Sequence, residues 1–124
     1  MRTTVTVPGS APPVGPFSPA VNVHGAVYVS GQIGIDPATG ALVAGGVTAQ
    51  AEQALRNLAA ILAAANKSLD DVTRVGVFLT SMSDFAAING VYAAHFAHPY
   101  PARTTVAVAG LPLGAAIEID AVAH

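Results

Sequence analysis

The hydrophobic period of this chain changes at Thr48, and that change limits the folds open to it. Ala51, Leu55, Leu58, Leu62 and Ala65 recur every three or four residues, the spacing that lines one side of an α-helix. Thr48 is suited to cap the start of this helix, and Asn66 to take the left-handed position at its end. Gln53, Arg56 and Asn57 fall on its wetter side. Elsewhere the period is two. "VNVHGAVYVSG" (21–31) reads as short strands about a His24-Gly25 turn, with Val27 and Val29 alternating with Tyr28 and Ser30. "DPATG" (36–40) is a tight turn, and "VTRVGVFL" (72–79) is a strand. Asp70-Asp71 after Ser68 reads as the charged start of a capped turn.

A second helix, capped by Ser83, carries Phe85, Ile88, Tyr92 and Phe96 along one side, with Gly90 a tolerated weak point. The last stretch, "PARTTVAVAGLPLGAAIEIDAVA" (101–123), reads as two apolar strands that close as a hairpin about Leu-Pro-Leu-Gly. Near the start, "PGSAPPVGPFSP" (8–19) is too rich in proline to donate regularly to a ladder, so an ordered loop or extended arm is expected. The order is strands, helix, strand, helix, two strands. It predicts one α+β domain over residues 1–124, its two helices on one face of a mixed sheet.

Charge is scarce. Five Lys and Arg and seven Asp and Glu make 10% of 124 residues, where a typical soluble domain carries about 25%. With 52% of the chain hydrophobic, hiding surface against further copies of itself is the simplest remedy, so a homo-oligomer is expected. A net charge of −2 without a basic cluster argues against a nucleic-acid surface. The longest apolar run, "LAAILAAA" (58–65), is too short to cross a bilayer, and no secretory leader is evident. The expectation is a soluble cytoplasmic protein. With no cysteine, a thiolate metal site or cysteine nucleophile is excluded.

Two charges lie in apolar surroundings: Arg103 at the mouth of one strand and Glu118 within the next. Alternation sets Glu118 and Asp120 on one face of the last strand, with Ile117, Ile119 and Ala121 on the other. A carboxylate in a half-dry cleft has its pKa raised, which suits proton transfer, and an arginine fork grips a substrate carboxylate bidentately. The alternative is an ion pair from Arg103 to Glu118 or Asp120 across the hairpin, which spacing alone favours. His95 and His98 stand three apart before Pro99. A cap or plain surface is the better reading for them than a metal site.

Four segments together resemble the Rid (YjgF-like) family of reactive-intermediate deaminases: "GPFSPAV" (15–21), "VSGQIGIDPATGALV" (29–43), residues 53–92 and the closing 101–123. The resemblance implies a chorismate-mutase-like α+β fold and a homotrimer with its sites between subunits. It also implies hydrolysis of 2-imino acids and their enamine tautomers to 2-keto acids and ammonia, with no metal or organic cofactor. By the same resemblance Arg103 holds the substrate carboxylate and Glu118 stands near the attacking water and leaving nitrogen. Thr105 contributes backbone contacts, Ser30 and Gly31 line the pocket, and Asn89 lies at the cleft. Phe17 stands where the family usually has tyrosine, so it walls the cleft without a hydroxyl, and Pro19 replaces a commonly polar residue. A trimer that binds a small carboxylate without turning it over is the competing expectation.

Overall fold

The structure, a computed structural model, describes residues 1–9 and 13–124. Part of the proline-rich segment, residues 10–12, therefore lies outside the described residues. Among the described residues six strands form one sheet: β1 (Thr3–Val5), β2 (Ala20–Val23), β3 (Ala26–Gln32), β4 (Val72–Leu79), β5 (Ala102–Ala107) and β6 (Ile117–Ala123). Helix α1 (Gly46–Ala64) links β3 to β4, and α2 (Phe85–His95) links β4 to β5. The strands lie in the order β1-β2-β3-β6-β4-β5, antiparallel except for β4 and β5.

Both helices pack on one face, as their apolar stripes require. Ala51, Ala54, Leu55, Leu58, Ile61 and Leu62 of α1 are buried against Val27 and Val29 of β3, Val75, Val77 and Leu79 of β4, and Ile117, Ile119 and Ala121 of β6. Complete burial of a side chain such as Leu58 is worth about 1.5–3 kcal/mol. The α2 stripe contributes Ile88, Tyr92 and then Phe96, whereas Phe85 is 38% exposed. Among the described residues no helix is long and apolar enough to cross a membrane.

The turns at His24-Gly25 and 36–40 form as the sequence predicts, and Ser68 completes a capping box with Asp71. Asn66 takes the left-handed conformation, and its N–H bonds the Ala63 carbonyl while Lys67 N–H bonds that of Leu62, closing α1 in a Schellman motif. Three expectations fail. Helix α1 begins before Thr48, because Gly45 and Gly46 adopt positive φ and turn the chain into the helix without a side-chain cap. Ser81, not Ser83, caps a short 3₁₀ turn at Met82–Asp84 that runs into α2, and α2 itself has no side-chain cap. The 101–123 segment is no hairpin.

That last difference follows from the crossover through α2. It leaves β5 parallel to β4 at the sheet's outer edge, and the 108–116 connection then passes β4 and delivers β6 between β4 and β3. Val108 N–H to the Leu79 carbonyl and Thr80 N–H to the Ala116 carbonyl fasten this connection over the end of β4. Central placement buries the alternating Ile face of β6 between two ladders, which a terminal hairpin would leave at an edge.

Candidate active site

Arg103 and Glu118 lie on opposite faces of the sheet. Across β4, Arg103 is level with Val75, which is fully buried toward the helices, while Glu118 is level with Phe78, which alternates to the other face. Directly paired residues share a face. The ion pair across a hairpin is therefore excluded, since there is no hairpin and β4 separates the two strands. Among the described residues Glu52 pairs with Arg56 and bonds His95, and Arg103 has no carboxylate partner.

The helix-side group is built on β5 and α2. Arg103 and Thr105 share the face of Val75 and Val77. The Arg103 Nη2 donates to Asn89 Oδ1 at 2.7 Å, and its guanidinium carbon lies 4.6 Å from the centre of the Tyr92 ring and 5.6 Å from that of Phe85. Phe85, Asn89 and Tyr92 follow one another at helical spacings of four and three, so a single stripe of α2 meets the arginine. Asn89, Tyr92, Ala93, Tyr100, Pro101 and Arg103 enclose a concavity of about 330 Å³. One fork of the guanidinium is bonded and its other donors remain available for a planar anion.

The second group gathers around β6 and the irregular end of β3. Pairing between β3 and β6 slips between Val29 and Gln32, which frees Ser30 and Gly31 from the regular ladder. Ser30 Oγ donates to the Ser18 carbonyl at 2.7 Å and its N–H to the Pro19 carbonyl at 2.9 Å, tying the loop that carries Phe17 to this bulge. Phe17 is 56% exposed. The Glu118 side chain lies against the Cα of Gly31, so close that a Cβ there would come within 2.6 Å of Oε2. Desolvation raises the Glu118 carboxyl above the usual carboxylate range, and the neighbouring Asp120 charge adds to the rise.

The expected residues thus fall into two groups, Arg103, Asn89 and Thr105 in one, and Glu118, Gly31, Ser30 and Phe17 in the other. Sequence reading missed Tyr92 and Phe85 as partners of Arg103, having assigned them to the core stripe. The signal was present in their register with Asn89. Sequence reading also missed a concavity of about 440 Å³ on the helix-free face, where Arg74 donates to Thr104 Oγ1 among Tyr28, Phe78, Val106 and Asp120. His95 bonds Glu52 at 2.6 Å and the His98 ring packs at a tilt against Tyr100, which gives each an intramolecular contact.

Residues 8–124 match the model of the family described as Endoribonuclease L-PSP. The chain is 42% identical over 123 residues to the 2-iminobutanoate/2-iminopropanoate deaminase of Mus musculus, covering 99% of this chain and 91% of that protein. Its fold is similar to the crystal structure of RidA from the Antarctic bacterium Psychrobacter sp., with a TM-score of 0.93 and 45% identity over 98% of both chains. It is also similar to Escherichia coli TdcF with bound serine, with a TM-score of 0.89 and 38% identity over 98% of this chain and 97% of that one. The four motifs, the sheet with both helices on one face and these likenesses agree: the chain belongs to the Endoribonuclease L-PSP family, the Rid (YjgF-like) proteins.

Proposed function

We propose that the protein hydrolyses 2-imino acids of the 2-iminopropanoate and 2-iminobutanoate type, and their enamine tautomers, to 2-keto acids and ammonia. The observation that carries this reading is the state of Arg103: an arginine held by Asn89 and Tyr92, with no carboxylate partner among the described residues, at a concavity of small-molecule size. Its free donors fit a substrate carboxylate, and holding that carboxylate turns a collision into a positioned reaction. The names borne by relatives such as the mouse deaminase support the same chemistry.

Water adds to the imine carbon, forming the new C–O bond as the C=N π electrons move to nitrogen. Glu118, whose raised pKa suits both roles, takes a proton from the water and returns it to nitrogen. Glu118 then takes the carbinolamine O–H proton and passes it to nitrogen, so that the keto C=O forms as the C–N bond breaks and ammonia leaves. Backbone groups near Thr105 and the Ser30-Gly31 bulge orient the water, and Phe17 walls the cleft. Arg103 and Glu118 face opposite ways in one chain, which supports a site completed by a second copy, with the homotrimer as the proposed working form.

A ribonuclease role, which the family's description suggests, is disfavoured by the net charge of −2 and the want of a basic stripe for phosphates. The test is hydrolysis of 2-iminopropanoate and 2-iminobutanoate generated in place by an amino-acid oxidase, with oligomer mass checked for each variant. Arg103→Ala is expected to remove most of the acceleration, and Arg103→Lys to fail to restore it, since an ammonium lacks the bidentate fork. Glu118→Gln is expected to retain carboxylate binding and lose turnover. Full activity in Arg103→Lys would overturn the assignment of Arg103, and no acceleration by an intact wild-type oligomer would leave a binding protein.

A further inference from the structure

We propose that Tyr92 is the positioning residue for Arg103: its ring face and the Asn89 amide together fix the guanidinium plane, leaving the remaining donors aimed at the substrate carboxylate. This inference rests on the reading of Arg103 as the carboxylate-binding residue. An arginine on an edge strand has a long, flexible stem, and an unrestrained fork would have to be ordered each time a substrate binds. Here two constraints act from one helix. Asn89 Oδ1 takes a hydrogen bond from Nη2 at 2.7 Å, which fixes one end of the fork. The Tyr92 ring centre, 4.6 Å from the guanidinium carbon, lies within the range of cation–π attraction and sets the plane about that end. Phe85, at 5.6 Å, is a weaker second contact.

The ring is itself held firmly. Tyr92 is 7% exposed and packs on Phe96 with centroids 4.5 Å apart. Its hydroxyl is buried and has no hydrogen-bond partner among the described residues. A buried phenol normally finds a partner. Its contact with Arg103 is made by the aromatic face, 4.6 Å from the guanidinium carbon. That separates the ring from the hydroxyl in a way that variants can test.

Tyr92→Phe keeps the ring and removes only the hydroxyl; Tyr92→Leu keeps an apolar filler and removes the ring. With 2-iminobutanoate, Tyr92→Phe is expected to match wild type within about twofold, while Tyr92→Leu loses roughly tenfold in kcat/KM, mainly through KM. A structural role alone would lower the melting temperature without this split between KM and kcat. A readout independent of turnover is the Arg103 Nε–H resonance, identified by its loss in Arg103→Ala. Its ring-current displacement is expected in wild type and Tyr92→Phe and absent in Tyr92→Leu. If Tyr92→Leu does not fold, an undisplaced Arg103 resonance in wild type still overturns the proposal. Wild-type KM in a folded Tyr92→Leu protein, with Arg103→Ala inactive, would overturn it while leaving the deaminase reading intact. Full activity in Arg103→Ala would overturn the deaminase site first, and the positioning role with it.

Discussion

Gly31 is where a single atom decides whether the Glu118 side chain can keep its place. The glycine lies in the bulge of β3, and a Cβ built there would come within 2.6 Å of Oε2, 2.7 Å of Cδ and 2.9 Å of Cγ of Glu118. The whole carboxylate arm would have to swing away, since contacts under 3.0 Å are not tolerated by Cβ atoms. Gly31→Ala is therefore expected to lower imine hydrolysis toward the level of Glu118→Gln while the far-ultraviolet dichroism and oligomer mass stay those of wild type. Wild-type turnover in Gly31→Ala would show that Glu118 need not occupy this position. The sequence marked Gly31 and Glu118 as site residues through the family's motifs. It gave no account of why one needs the other, because a bulge between β3 and β6 brings together residues distant along the chain.

At the scale of elements, the clip between α1 and α2 is a hydrogen bond between Glu52 and His95 at 2.6 Å, with Arg56 3.2 Å from the same carboxylate. The hydrogen bond from His95 is the chief cause that holds the Glu52 carboxyl below its ordinary value of 4.5, against a smaller opposing desolvation. A carboxylate whose folded pKa is depressed adds stability above its unfolded pKa, and that stability is lost as pH falls through the folded value. Glu52→Gln is expected to melt lower than wild type near neutrality, by the roughly 0.2–1 kcal/mol of an exposed pair. The gap should close as pH falls below 4.5. A gap that persisted unchanged into acid would assign the effect to packing instead. Local chemistry decided the ends of some elements and not others. Asn66 and the Ser68–Asp71 box could be read from adjacent residues, whereas the two glycines before α1 outcompete the hydroxyl of Thr48 by turning the chain earlier. The β5–β6 hairpin failed for a similar reason: antiparallel alternation identifies strands, and it carries no information on which strand inserts between two others.

At the scale of the whole molecule, two independent features of the chain favour assembly. Only 10% of residues are charged, and large apolar side chains such as Tyr28 (48% exposed) and Val106 (40%) line the helix-free face. Separately, the two charged groups of the proposed site face opposite ways. If each site draws Arg103 from one copy and Glu118 from the next, mixing two inactive variants should restore activity. Arg103→Ala and Glu118→Gln, dissociated and reassembled in equal amounts, are expected to recover about a quarter of wild-type turnover, the share of interfaces that pair two intact groups. No recovery from mixed trimers of verified composition would sink the shared site. The sequence by itself determined the strand and helix periods, the side of β6 on which Glu118 stands, the shortage of charge and the family's motifs, because each is written in neighbouring residues or in composition. Only the tertiary structure decided that β6 enters the middle of the sheet, that Tyr92 lies under Arg103 and that Arg103 and Glu118 are divided by the sheet. Those outcomes depend on strand order and on contacts between residues far apart in the chain, which periodicity does not encode.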